Sequence, residues 1–108
     1  MCGICGVAGG DPSQGRDLVL RMCGAMAHRG PDDAGTVQHD DVVLGMRRLS
    51  IIDLAGGHQP MANEDSTVWV VQNGEIYNHR ELREQLVAAG HRFATQSDTE
   101  VLVHGYEE

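Results

Sequence analysis

The sequence predicts an α+β domain, and three observations carry that reading. Strand and helix patterns come in mixed order rather than in strict alternation, which argues against a doubly wound sheet. Neighbouring β segments are joined by turns too short to hold a crossover helix. Three stretches place apolar residues at helical spacing.

The elements follow in order. Residues 2–10 are small, apolar and punctuated by glycine (Cys2, Gly3, Ile4, Cys5, Gly6, Val7, Ala8), which predicts a short buried strand. Asp11-Pro12-Ser13 reads as a turn. Leu18, Met22 and Met26 then recur every four residues with Val19 and Cys23 beside them, a helical stripe suited to core packing. Gly30-Pro31 ends that helix and opens a polar loop through Gly35. Short β segments are predicted at 36–38 and 42–46, joined by the turn-forming His39-Asp40-Asp41. Residues 48–53 are β-branched enough for another strand, and 55–66 form a loop whose length is of the kind functional loops have. Residues 67–72 are the clearest strand: Val68, Trp69, Val70 and Val71 form a run that predicts burial on both faces. Asn78 with Glu81 resembles a capping box, Leu82, Leu86 and Ala89 share a helical face, and Gly90 is a stop. His91–Ala94 predicts one more strand. Ser97 with Glu100 suggests a second capping box, opening a helix that carries Val101, Leu102 and Tyr106.

Composition excludes several classes of function. A chain of 108 residues holds one domain or part of one. Sixteen acidic residues face eight basic ones, all arginine, for a net charge of −8. That balance argues against nucleic acid and anionic membrane surfaces as partners. No apolar run approaches the length of a membrane-spanning helix, and no secretory signal opens the chain. Three cysteines, an odd number, do not suggest a disulfide framework, so a reducing cytoplasm is the expected compartment.

The chemistry begins at Cys2. With Met1 removed, one residue carries both a thiol and a free α-amine, and that amine titrates near neutrality. It can therefore serve as the base for its own thiol. With Met1 retained the amine is a peptide nitrogen, and the chain reads instead as a non-catalytic binding module. Cys2-Gly3-Ile4-Cys5 also has the form of a C-x-x-C pair. A zinc reading needs two more ligands, and a redox reading needs a helix that opens at the pair. Asn73-Gly74 is a strong turn signal, yet an amide side chain and an adjacent backbone N–H are also the donors of an oxyanion hole. Arg48 is either a solvated charge or a fork for a carboxylate. Asp98 is either a helix cap or the partner of an amine. A nucleophile, an oxyanion hole, a carboxylate clamp and an ammonium partner together describe a pocket for an amino acid with a side-chain amide, and glutamine is the natural candidate.

Met1-Cys2-Gly3-Ile4 resembles the opening of class II, N-terminal-nucleophile glutamine amidotransferases. The blocks His28-Arg29-Gly30-Pro31-Asp32, Arg48-Leu49-Ser50-Ile51-Ile52-Asp53, Asn73-Gly74-Glu75-Ile76-Tyr77-Asn78 and Ser97-Asp98-Thr99-Glu100 follow in order. With Gly57-His58-Gln59-Pro60 they are similar to the glutaminase domain of glutamine-hydrolysing asparagine synthetases. Gln72 departs from the pattern, standing where that family carries an apolar aromatic.

The resemblance implies the αββα sandwich of N-terminal-nucleophile hydrolases, with residues 1–108 as about the first half of the glutaminase domain. It implies that Cys2 attacks the glutamine amide to form a thioester, and that Asn73 and the Gly74 N–H hold the oxyanion. Arg48 would bind the α-carboxylate and Leu49, Ser50, Ile51 and Ile52 would shape the wall. Asp98, helped by Glu75, would bind the α-ammonium. No cofactor or metal is implied in this segment. ATP and Mg²⁺ are expected in a synthetase domain in cis, where ammonia amidates aspartate or a related carboxylate, and a homodimer is a possible assembly.

Overall fold

The computed structural model describes residues 2–49 and 56–108. It is a small α+β fold with two antiparallel sheets and three helices. The first sheet holds β1 (Gly3–Ala8), β2 (Asp33–His39) and β3 (Val42–Arg48), in the order β1-β3-β2 with β3 central. Helix α1 (Pro12–Ala25) covers one of its faces.

β1 is buried on one face only. Gly3, Cys5 and Val7 turn toward α1, whereas Ile4 is 46% exposed. The predicted turn before α1 is its cap: Asp11 Oδ1 accepts from Ser13 N at 2.9 Å, and Pro12 occupies the first turn, where its missing N–H costs nothing. The buried stripe of α1 runs through Gly15, Val19 and Cys23. Leu18, which the apolar spacing placed on that face, points outward. Close packing explains the rotation. A Cβ on Gly45 of β3 would lie 2.6 Å from Val19 Cγ1 and 2.7 Å from Cys23 Sγ, so the helix sits against a strand position without a side chain. The helix also stops at Ala25, not at Gly30-Pro31. Gly30 serves a close approach instead, since a Cβ there would meet the Arg47 carbonyl carbon at 2.3 Å.

β2 and β3 form the predicted hairpin, with Asp40 in the left-handed region at φ 54°. The face of this sheet away from α1 is approached by the chain at 57–60, where the backbone crosses Gly35 so closely that a Cβ would clash with Gln59 O. The strand expected at 48–53 contributes Arg48 to β3, and residues 50–55 lie outside the described residues.

The second sheet is short: β4 (Met61–Ala62), within the predicted loop, pairs with β5 (Trp69–Val70). Asn63 organises their connection, its Oδ1 accepting from Thr67 N at 2.9 Å and Val68 N at 3.1 Å. The apolar run at 68–71 is half-buried rather than covered on both faces. It lines an open apolar cleft of about 1060 Å³ with Leu82, Leu86, Val101 and Tyr106. Helices α2 (His79–Ala88) and α3 (Glu100–Glu107) pack against each other, and α3 packs on this sheet. Asn78 makes no side-chain cap bond, but α2 ends as predicted: Gly90, at φ 104°, and His91 return their N–H groups to Val87 O and Leu86 O at 3.0 Å each. Among the described residues, no helix is long and apolar enough to cross a membrane.

Residues 91–94 are not a strand, and Glu100 explains why. Its buried carboxylate accepts from Ala94 N (2.9 Å), Thr95 N (2.8 Å) and Thr95 Oγ1 (2.7 Å), and faces His104 Nε2 at 2.9 Å. Ala94 N is thus taken by Glu100 while His91 N is returned to Leu86 O, so donors at both ends of the predicted strand are already paired, and the Glu100 bonds replace the predicted capping box with Ser97. Burial pushes the Glu100 carboxyl up, yet its bonds to Thr95, His104 and the two backbone N–H groups hold it below its ordinary 4.5. A carboxyl whose folded value is depressed stabilises the fold above its unfolded pKa and loses that contribution as pH falls through the folded value. Glu100→Gln should therefore lower stability at pH 7 by about 1–3 kcal/mol and flatten the acid limb of a stability-against-pH curve. Chemical denaturation across pH 3–8, a range spanning the carboxylate pKa values, measures both effects.

Candidate functional site

Three separate pieces of chain meet at a cavity of about 230 Å³: the paired ends of β1 and β3, the turn at 72–75, and the approach to α3 at 97–99. Cys2, Arg48, Leu49, Asn73, Gly74, Glu75 and Asp98 all line it. Ser50, Ile51 and Ile52 lie outside the described residues.

Strand register brings Cys2 and Arg48 to one end of the sheet. Gly3 pairs with Arg47, so the residues flanking that pair lie beside each other. Cys2 Sγ lies 3.4 Å from Leu49 N and 3.6 Å from Leu49 O, and Arg29 Nε donates to Cys2 O at 3.3 Å. These contacts tether the residue just before β1 while its half-buried thiol faces the cavity. Cys5 lies three residues along the strand, an odd separation that sends it to the opposite face. There its Sγ sits 3.6 Å from Cys23 Sγ under α1. Burial and the neighbouring Cys23 push its thiol up to about 11, which keeps it protonated and inert. The C-x-x-C reading is thereby corrected: Cys2 and Cys5 serve different places.

Arg48 is only 5% exposed. Gly57 makes room for its guanidinium, because a Cβ there would stand 2.0 Å from Nη2. Asp98 is also buried, and it is not the N-cap of α3; that position belongs to Thr99. Asp98 Oδ2 instead accepts from Ile76 N at 2.7 Å, tying the 73–76 segment to the start of α3. Asn73, Gly74 and Glu75 are exposed at the rim. No strand follows Asn73-Gly74, so the pair does not make a hairpin. A side chain at Gly74 would meet only Gln72, at ordinary contact distance, leaving this backbone open toward solvent and cavity.

Gln59, Gln72 and Thr99, to which the sequence assigned no site role, complete the wall. Gln59 Oε1 accepts from Gln72 N at 2.7 Å, Gln59 Nε2 donates to Thr99 Oγ1 at 3.3 Å, and Thr99 Oγ1 donates to Gln72 Oε1 at 2.9 Å. This closed ring of polar contacts ties the 57–60 segment to the turn at 72–75 and to the approach to α3. Each of these side chains is separated from the others by more than ten positions in sequence, so no local spacing could announce them. Chemically, the cavity offers a thiol, a buried cation, a buried carboxylate and amide donors. Opposite charges on one small cavity complement a zwitterion.

Comparison with known proteins adds to this geometry. Residues 1–108 match the family described as a glutamine amidotransferase domain. The chain is 52% identical over 110 aligned residues to an asparagine synthetase (glutamine-hydrolyzing) of Sandersonia aurantiaca, covering all of the chain and 21% of that protein. It is 47% identical to asparagine synthetase (glutamine-hydrolyzing) 1 of Bacillus subtilis, over 98% of the chain and 17% of that protein. It is 49% identical to the nodule asparagine synthetase (glutamine-hydrolyzing) of Pisum sativum, over the whole chain and 18% of that protein. The chain thus spans about a fifth of the length of these relatives.

Proposed function

The chain belongs to the glutamine amidotransferase domain family, and from that premise we propose that its 230 Å³ cavity binds glutamine and hydrolyses it to glutamate and ammonia. The single observation that carries this reading is the meeting of Cys2, Arg48, Asn73, Gly74 and Asp98 around one cavity.

In the proposed reaction, Met1 has been removed. The α-amine of Cys2 takes the thiol proton as sulfur attacks the amide carbon, and the carbon–oxygen π pair moves to oxygen. Asn73 Nδ2 and Gly74 N–H stabilise that oxyanion, a charge that exists only along the reaction path. The protonated amine then delivers its proton to the leaving nitrogen, the C–N bond breaks, and ammonia departs from a glutamyl thioester. Water attacks the thioester, the amine again accepting a proton, and glutamate leaves as sulfur recovers its own. Arg48 holds the α-carboxylate with a bidentate fork and Asp98 holds the α-ammonium, with Glu75 at the same end. Leu49 forms part of the wall.

The packing of α1 on the first sheet and of α3 on the second supports the outer layers of an αββα sandwich. Residues 1–108 would be about its first half. The relatives' names support the larger proposal that ammonia serves amidation of aspartate or a related carboxylate in a synthetase domain in cis. ATP and Mg²⁺ would supply the driving force in that domain.

A glutamine analogue with a chloromethyl ketone in place of the amide tests the site directly, the thiolate displacing chloride. In the full-length polypeptide it should alkylate Cys2 alone, and glutamine should protect against it. Peptide mapping that finds Cys5 or Cys23 labelled with Cys2 untouched would overturn the assignment. So would an intact mass retaining Met1, which would favour a binding module without hydrolysis.

A further inference from the structure

A second cluster of polar side chains lies at the far end of α3. Glu64, on the β4–β5 connection, His91, after α2, and His104 and Glu107, on α3, each aim one ligand-type atom at a common point. These four atoms lie within 4.8 Å of one another. Sequence spacing hid the group, because the histidines stand thirteen positions apart and the carboxylates belong to different elements.

Two features separate this cluster from an ordinary acidic patch. The first is the state of the imidazoles. His104 is 1% exposed, and the Nδ1 atoms of both histidines are buried and make no hydrogen bond. Both face the Glu64 carboxylate: Oε2 is 3.5 Å from His91 Nδ1, and Oε1 is in close contact with His104 Nδ1. The second is the surrounding layer. His104 Nε2 faces Glu100 Oε2 at 2.9 Å, and His91 Nε2 faces Glu108 Oε2 at 3.0 Å. These outer carboxylates fix the ring orientations, as they do for histidine ligands on metals, and a metal at the two Nδ1 atoms would displace the protons that the Glu64 contacts otherwise hold there. Asn63 Nδ2 donates to Glu107 Oε2 at 3.0 Å, steadying a third ligand. The Phe93 ring packs against His104 at 4.3 Å between centroids, which fixes the imidazole plane.

The geometry points to a divalent transition-metal site of the zinc class, with His91 Nδ1, His104 Nδ1 and one carboxylate oxygen from each of Glu64 and Glu107 as its ligands. Two imidazoles disfavour Ca²⁺ and Mg²⁺, which take oxygen donors. Four protein ligands make the site structural rather than catalytic, since no position is left for substrate. Zinc–ligand bonds of about 2.0–2.2 Å require the four atoms to rearrange around the ion, the Glu64 oxygen moving off His104 Nδ1 while the wider pairs close. Glu64 and Glu107 are exposed residues, so side-chain rotation can bring their carboxylates into place. The ion would clamp α3 to the β4–β5 connection and to the segment after α2. Glutamine hydrolysis plays no part in the inference, so the two proposals stand or fall separately.

The experiment is Co²⁺ and Zn²⁺ titration of the chelator-treated full-length polypeptide at pH 8. Co²⁺ should bind one per chain with the visible d–d bands of a tetrahedral nitrogen–oxygen site and no sulfur charge-transfer band. Zn²⁺ should displace it and raise the melting temperature. His91→Ala and Glu107→Gln should each weaken binding severely, and Glu108→Gln should weaken it by about 10-fold through the outer layer. Cys2→Ala should leave binding unchanged. His104→Ala is avoided because its buried ring supports the fold. A sulfur charge-transfer band, equal affinity in wild type and His91→Ala, or no binding by folded protein would each overturn the site.

Discussion

Cys2→Ala, assayed in the full-length polypeptide with Met1 removed, should abolish release of glutamate from glutamine. Loss of a covalent nucleophile leaves only binding and oxyanion stabilisation, so the expected fall in kcat is at least ~10⁴-fold. Circular dichroism should be unchanged, because Cys2 packs loosely at a cavity edge and contributes little to the core around Val19, Cys23 and Val43. A preparation that retains Met1 should also be impaired, its α-amine having become an amide nitrogen with no basicity to lend. The loss there should be about 10²–10⁴-fold, the usual contribution of a positioned base. Quenched wild-type turnover should yield a glutamyl adduct on Cys2, visible by mass spectrometry and absent in the alanine variant. Hydrolysis that survives in Cys2→Ala would show that sulfur is not the attacking atom.

The next largest effect should come from Asn73→Ala. An oxyanion donor acts on charge that appears after attack begins, so its removal should lower kcat by about 10²–10³-fold while KM for glutamine stays nearly constant. Arg48 and Asp98 differ in principle, since the charges they would hold are present in the ground state as well. Their conservative variants should act mainly on KM. Asn73 is suited to truncation because it is exposed at the rim and anchors nothing in the core. Steady-state kinetics on glutamine separate the two effects. A raised KM with unchanged kcat in Asn73→Ala would move this side chain from the reacting oxygen to the substrate's other end.

Local chemistry made part of the architecture legible. Asp40 in its tight turn, the Asp11-Pro12-Ser13 turn before α1 and Gly90 after α2 act through neighbours a few residues away, and local signals report such interactions well. The misreadings share a different cause. Leu18 belongs to the apolar stripe by spacing, yet Gly45 on another element decides which face of α1 can approach the sheet. Residues 91–94 carry strand propensity, yet the Glu100 carboxylate takes backbone donors there. Residues 68–71 look buried by composition, but in the described residues they border an open cleft. In each case a side-chain contact that periodicity does not report, or the absence of one, outweighs an intrinsic preference worth only tenths of a kcal/mol per residue.

The cavity divides along the same line. Residue chemistry alone identified a terminal thiol beside an amine, a guanidinium, a carboxylate and an Asn-Gly pair, because each carries its reactivity wherever it sits. Their gathering at one cavity depends on the Gly3–Arg47 register, on Asp98 gripping Ile76 N, and on the Gln59–Gln72–Thr99 ring. The His91–His104 group with its glutamates was invisible for the same reason. Side-chain identity is written in the chain, whereas convergence is a property of long-range packing, and only the folded backbone brings separated donors within bonding distance.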